Sequence, residues 1–210
     1  MAKWGKVDFS GLRELQKRLK AFEQDEIDDF CKKCSKDLAA RLLAKTIVRT
    51  PVGTKPKLDG PKTQKVTGAS GKTRSFLTAE GARQEQYWAG YVGGTLRRGW
   101  VSQTHEQAAA NPSTPNAAEQ KAFVDSLPVK VGGGSYVIDI INPVEYAIYV
   151  EYGHRQEPGR YVPALGKKLK SGWVKGQFML TKSEIELQGQ ADGILQKLLE
   201  QKIREVLNGE

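Results

Sequence analysis

With 210 residues, 39% of them hydrophobic, and a formal net charge of +9, the chain can bury one good core with a small elaboration, but not two large cores. No uninterrupted apolar run reaches the roughly 18 residues that span a bilayer, and the N-terminal MAKWGKVDFSGLRELQKRL lacks the apolar stretch of a secretory leader, so folding in a cytoplasm is expected. Two cysteines, Cys31 and Cys34, are too few for a disulfide framework.

Leu12, Leu15, Leu19 and Phe22 recur at spacings of three and four, which predicts an amphipathic helix over residues 10–22 with Ser10 as its N-cap. Ile27, Phe30, Cys34, Leu38 and Leu42 continue that spacing into a second helix, which ends near Arg49 because Pro51 cannot extend it. From Val52 to Ser70, glycines and prolines interrupt any period and apolar groups are too sparse to offset chain entropy, so this reads as a mobile or partner-ordered arm. Thr73 to Thr78 and Leu96 to Gln103 read as strands, Pro115 to Ser126 as a short helix, and Pro128–Val131 with Tyr136–Ile141 as a hairpin turning on Gly132, Gly133 and Gly134.

Asn142 to Ala164, NPVEYAIYVEYGHRQEPGRYVPA, is the densest aromatic and aliphatic run. Closed by Gly153, it reads as a short helix that delivers a basic, glycine-rich loop to one place. Leu195, Leu199, Ile203 and Val206 then share one face of a C-terminal helix within Phe178–Leu207, interrupted or kinked near Gly189 and Gly193. The order of elements predicts an α+β domain: two N-terminal helices, an antiparallel β-sheet with a short helix packed on it, and a long C-terminal helix.

The positive charge is concentrated. Between Pro51 and Thr104 nine lysines and arginines face three carboxylates, and between His154 and Lys175 six face one. Basic loops of this kind meet phosphate, an acidic protein surface, or water.

The inventory for chemistry is poor. His105 and His154 have Asp139, Glu145 and Glu151 as candidate partners, but no nucleophile elbow, phosphate loop, dinucleotide fingerprint or paired-histidine zinc motif accompanies them, so no catalytic residue is assigned. Cys31-Lys32-Lys33-Cys34 has the spacing of half a zinc site, yet it lies within a helix and no second cysteine pair exists. No metal or cofactor is expected, and Cys34 reads as a small core residue. Tyr87, Trp88, Tyr91 and Trp100 lie near the first basic region, which leaves nonspecific nucleic-acid binding by stacking open beside ordinary packing.

Several segments carry a family resemblance. The run Tyr146-Ala147-Ile148-Tyr149-Val150-Glu151-Tyr152-Gly153, the later Val162-Pro163-Ala164, and a helix starting near Phe178-Met179-Leu180 resemble the gene-ten-like tail-component family of tailed bacteriophages. Pro51-Val52-Gly53-Thr54 and Gly94-Thr95-Leu96-Arg97 look like two halves of that family's Pro-to-Leu segment, parted by about forty extra residues. The resemblance implies a single domain over 1–210, with 52–93 an inserted basic arm and 105–127 a second loop elaboration.

It also implies a non-enzymatic virion protein, assembled in the host bacterial cytoplasm, that joins or completes the tail at the head-tail neck as a homo-oligomeric ring, expected as a hexamer. A tail terminator role is the alternative. Partners would be its own copies and neck, connector, terminator or tail-tube proteins, with nonspecific DNA contact in the lumen possible and no membrane. Residues expected at subunit contacts are Lys55, Lys57, Lys62, Lys65, Arg74, Arg97, Arg98, Glu151, Gly153, His154, Arg155 and Arg160. In the Tyr146-to-Gly153 helix, Ala147, Ile148 and Val150 should face the sheet, Glu151 should point outward, and Gly153 should adopt a left-handed C-cap that displays His154 and Arg155.

Overall fold

The computed structural model describes residues 24–54 and 63–208, so the expected helix at 10–22 and the candidate contacts Lys55, Lys57 and Lys62 lie outside the described residues. Helix and small antiparallel ladders alternate along the chain, an α+β fold as expected. By contacts the chain separates into two compact units. The described part of the first holds residues 24–45, 117–140 and 182–208, and that of the second holds 46–54, 63–116 and 141–181.

The first unit is mainly helical. Helix α1, Gln24–Arg49, buries Cys34, Ala39 and Leu43 in this unit. The stripe predicted from spacing is Cys34, Leu38, Leu42, but a strict spacing of four drifts by about 40° per step on a helix of 3.6 residues per turn. The buried row therefore moves one position along, to Ala39 and Leu43, while Leu38 and Leu42 are half-buried. Three short helices of the second unit come next in sequence; helix α5, Ala117–Ser126, then returns to the first unit and buries Val124. It is fastened where Lys36 Nζ donates to the Asp125 carbonyl at 2.6 Å.

Strands β3, Lys130–Gly132, and β4, Ser135–Val137, form the predicted hairpin on a Gly133-Gly134 turn. Helix α7, Met179–Asn208, runs without interruption through Gly189 and Gly193, where the sequence predicts an interruption or a kink. Each internal glycine costs about 1 kcal/mol against alanine, and the continuous ladder over thirty residues outweighs both. In this unit α7 buries Ser183 and Leu187, and Glu186 meets Lys45 of α1 at 2.5 Å.

A polar contact at the edge of this unit ties β4 to α1: the Tyr136 hydroxyl donates to Asp28 Oδ1 at 2.7 Å. Asp28 is held below the usual carboxylate range, first by Lys32 and then by Tyr136, while the anion beside it pushes the Tyr136 phenol up to about 12. A raised phenol value means the contact contributes fully below the ordinary tyrosine value and is lost as pH rises through the folded one. The native chain should therefore lose this contribution between pH 10 and pH 12, and Tyr136→Phe should remove that part of the fall, read from denaturant midpoints across the range.

The second unit begins with the last turn of α1, where Thr46, Ile47 and Thr50 are buried and Pro51 ends the helix. Thr50 organises this junction. Its Oγ1 donates to the Thr46 carbonyl at 2.7 Å and accepts from Trp100 Nε1 at 2.8 Å, while its carbonyl accepts from Arg97 Nε at 2.9 Å. Strands β1, Thr63–Thr67, and β2, Thr73–Leu77, then pair in antiparallel register. Within the segment expected to be a mobile or partner-ordered arm, residues 63–67 are a strand: Thr63, Val66 and Thr67 favour extended backbone, and the loop 68–72 closes them on β2.

Helix α2, Ala79–Tyr87, starts on a Thr78 side-chain cap. Residues read as a strand over 96–103 instead form helix α3, Thr95–Gly99, because Leu96, Gly99 and Trp100 are buried at the three-four spacing of a helix turn. Helix α4, His105–Ala110, comes next, capped by Thr104. The remaining elements are helix α6, Ala147–Tyr152, and strands β5, Gly153–Arg155, β6, Tyr161–Val162, β7, Lys167–Lys168, and β8, Trp173–Lys175. The ladder β6–β7 is nested inside β5–β8, so the expected basic loop is two hairpins, one within the other. The strands of the described residues pair as two-stranded antiparallel ladders, where the sequence suggests an antiparallel sheet. No helix of the described residues is long and apolar enough to cross a membrane.

Candidate functional site

The Tyr146-to-Gly153 run folds as the short helix that the sequence suggests, but with its faces redistributed. Asn142 sets the entry: Nδ2 donates to the Leu96 carbonyl at 2.8 Å and Oδ1 accepts from Val144 N at 3.1 Å, which buries Val144. One and a half turns later the helix is tied to the segment before α7. Gln177 N donates to the Val150 carbonyl at 2.8 Å and Phe178 N to the Glu151 carbonyl at 3.0 Å.

Glu151 does not point outward. Its residue is only 6% exposed, and its carboxylate accepts from Leu180 N and Thr181 N at 3.0 Å each and from Thr181 Oγ1 at 2.7 Å. The reason lies at the start of α7. The residue before that helix is Phe178, at φ 54°, which has no side-chain acceptor to give the first free N–H groups. Glu151 supplies the acceptor from another helix and places an anion at the positive end of the helix dipole.

Gly153 has the positive φ expected, 85°, but ψ is 176°, so it is an extended turn into β5 and not a left-handed helical cap. A Cβ here would run into the Val174 carbonyl and lie 2.8 Å from Gly176 N. The chain thus passes directly from α6 into a ladder with β8, placing His154 opposite Val174 and Arg155 opposite Trp173.

That turn leaves an apolar cleft. About 590 Å³ in volume, it is walled by Pro51, Tyr146, Tyr149 and Val150 on one side and Val174 on the other, with His154, Arg155, Lys175 and Gln177 adding the polar groups. No carboxylate lines it among the described residues. The His154 ring meets Tyr149 edge to face at 5.9 Å, and its Nδ1 is buried without a partner among the described residues. Burial pushes the Tyr146 phenol above its ordinary value, so it is a neutral donor at physiological pH. Around the cleft Ile148 is 59%, Tyr149 56% and Tyr152 57% exposed, and Trp173 is exposed as well. Ile148 should face a sheet by its sequence position; without a single sheet beneath it, the residue faces outward.

Other residues singled out from sequence are dispersed. Arg97 is half-buried and spends its guanidinium on Thr50 and on Thr114 Oγ1 at 3.3 Å; Arg98 is half-buried. Lys65 and Arg74 are exposed on the β1–β2 hairpin, and Arg160 is exposed in the turn before β6. Among the described residues, His154 and Arg155 are the expected contacts that line the cleft, next to Gly153. The aromatics considered for base stacking separate: Trp100 is buried, and Trp88 donates Nε1–H to the Ala164 carbonyl at 2.7 Å between the edges of Tyr87 and Tyr91.

The cleft sets the cations Arg155 and Lys175 on an apolar wall, and none of its lining residues is a carboxylate that would orient His154 as a base. Among the described residues no three metal-ligating side chains converge, and burial pushes the Cys34 thiol upward. Sequence reasoning missed the exposed tyrosines, although Tyr146, Tyr149 and Tyr152 recur every third residue on one strip of the helix.

A family model described as "Bacteriophage HK97-gp10, putative tail-component" matches residues 13–153, more than half of the chain. No curated protein and no solved structure matches. The matched span closes on Gly153, so one wall of the cleft lies inside it and the Val174 wall outside.

Proposed function

We propose that this chain, which belongs to the bacteriophage HK97-gp10 tail-component family, joins or completes the tail at the head-tail interface by closing into a ring of identical subunits. As a tail component it is a structural virion protein that acts beside other tail proteins. The observation that carries the finer reading is the exposed aromatic cleft beside Gly153. Tyr146 and Tyr149 line it while remaining exposed, and Tyr152 follows on the same helical strip, so apolar surface is left that favours cover by protein.

A ring made from identical subunits joins two different patches, so the cleft of one subunit receives another surface of its neighbour or of the tail. Buried aromatic anchors in such contacts are each worth about 2 kcal/mol, roughly thirtyfold in affinity. Tyr149→Ser combined with Tyr152→Ser should leave the circular dichroism and melting profile close to native, because both side chains are exposed, while weakening self-assembly or tail attachment by two orders of magnitude or more. Light scattering and negative-stain microscopy, with and without purified neck and tail proteins, check it. Monomers under every condition would refute the ring, and full assembly by the double variant would remove the cleft from it.

A further inference from the structure

The β1–β2 hairpin presents a second surface problem. All ten strand residues are exposed, Val66, Phe76 and Leu77 among them, although a two-stranded ribbon in water is marginal until something packs on it. Its register pairs Gln64 with Phe76 and Val66 with Arg74, so these four share one face. From Thr63 to Leu77 the hairpin carries Lys65, Lys72 and Arg74 and no carboxylate. Pairing with the same hairpin of another copy would set like charges side by side, which is unfavourable across strands. The complementary partner is an apolar surface with an anionic rim.

The first unit has such a surface. Between α1 and α7 lies a groove of about 430 Å³ with Phe30, Cys34 and Leu198 as its apolar lining. Glu26, Asp29, Asp37 and Glu205 surround it against Lys33 and Lys202. Asp37 is engaged by Arg41 at 2.6 Å and Asp29 lies 3.5 Å from Lys32, exposed pairs of the kind that exchange partners readily. Glu205 accepts from Gln201 Nε2 at 3.1 Å, and neither it nor Glu26 has a cation partner among the described residues.

We infer that the hairpin of one copy seats in the α1–α7 groove of a second copy, with Val66 and Phe76 against Phe30 and Leu198 and the hairpin cations at the carboxylate rim. This rests on the ring proposed for the function and supplies it with a heterologous contact, since the two patches are different and repetition carries the chain from copy to copy.

The test uses full-length protein with Cys31→Ser and Cys34→Ser. One tagged population carries Phe76→Cys and a differently tagged one Lys33→Cys; both positions are exposed, so neither change disturbs a core. Mixing under mild oxidation should give a disulfide-linked pair bearing both tags. Independently, Lys65→Glu with Arg74→Glu should weaken assembly about tenfold or more, and Glu26→Lys with Glu205→Lys in the partner should restore most of it. Assembly of native mass without the crosslink, failure of the charge exchange to rescue, or a crosslink from Phe22→Cys to Lys33→Cys within one copy, which would put the chain's own first residues in the groove, each overturns the inference while leaving the ring intact. Monomers throughout overturn both.

Discussion

Glu151→Ala should lower the unfolding free energy by about 3 kcal/mol, the sum expected when a buried carboxylate that accepts two backbone N–H groups and a hydroxyl is removed. The loss has three sources acting together. Two N–H groups at the start of α7 lose their acceptor, Thr181 Oγ1 loses its own, and the anion leaves the helix N-terminus. In a chain of this length the melting temperature should fall by about 6–12 °C. Glu151→Gln keeps the shape and an acceptor oxygen for both Thr181 donors but turns an NH₂ toward Leu180 N, and should cost about half as much. Amide exchange at residues 180–184 identifies the cause: protection there should fall in Glu151→Ala before it falls in α1. A drop below about 1 kcal/mol would mean that water can replace the carboxylate.

Gly153→Ala should be as damaging, for a different reason. Its backbone, φ 85° and ψ 176°, lies in a region that only glycine enters without strain, a cost of about 1–3 kcal/mol. The added Cβ also meets backbone, the Val174 carbonyl and Gly176 N, where no side-chain rotation can relieve the contact. Both terms together should reach about 3 kcal/mol or more and should break the β5–β8 ladder, and with it the cleft. Two comparisons separate them. Gly159→Ala, at φ 86° but in open space, isolates the torsional part and should cost about 1 kcal/mol. Gly172→Ala, where the new Cβ would lie 3.7 Å from Pro158 Cγ, should be nearly neutral. Equal losses in all three would mean that the approach of Gly153 to β8 contributes nothing.

These two residues also mark where sequence reasoning succeeds and where it stops. Gly153 is recognisable as a required glycine because it closes an apolar run and precedes a basic, proline-bearing segment. Its ψ is not, because that is set by strand β8 twenty residues later. Glu151 reads as outward by the rule that carboxylates seek water. Its partners, Leu180 and Thr181, lie about thirty residues away, and nothing near Glu151 announces that α7 begins without a cap of its own. Leu96 to Trp100 misleads differently, since a five-residue helix and a short strand both place apolar groups on one side, and the burial of Gly99 beside Trp100 decides for the helix.

By itself the sequence determined where α1 stops, the hairpin on Gly133-Gly134, and the family run from Tyr146 to Gly153. All of these arise from interactions within a few residues: helix periodicity, proline's missing N–H, and the turn preference of glycine. Only the tertiary structure decided that Glu151 caps α7, that Tyr149 is exposed on the wall of an apolar cleft, and that the strands of the described residues form separate ribbons. Burial and exposure depend on which distant segment arrives, and the hydrophobic effect that drives burial is non-directional, so it fixes how much apolar surface is covered without saying which tyrosine stays exposed.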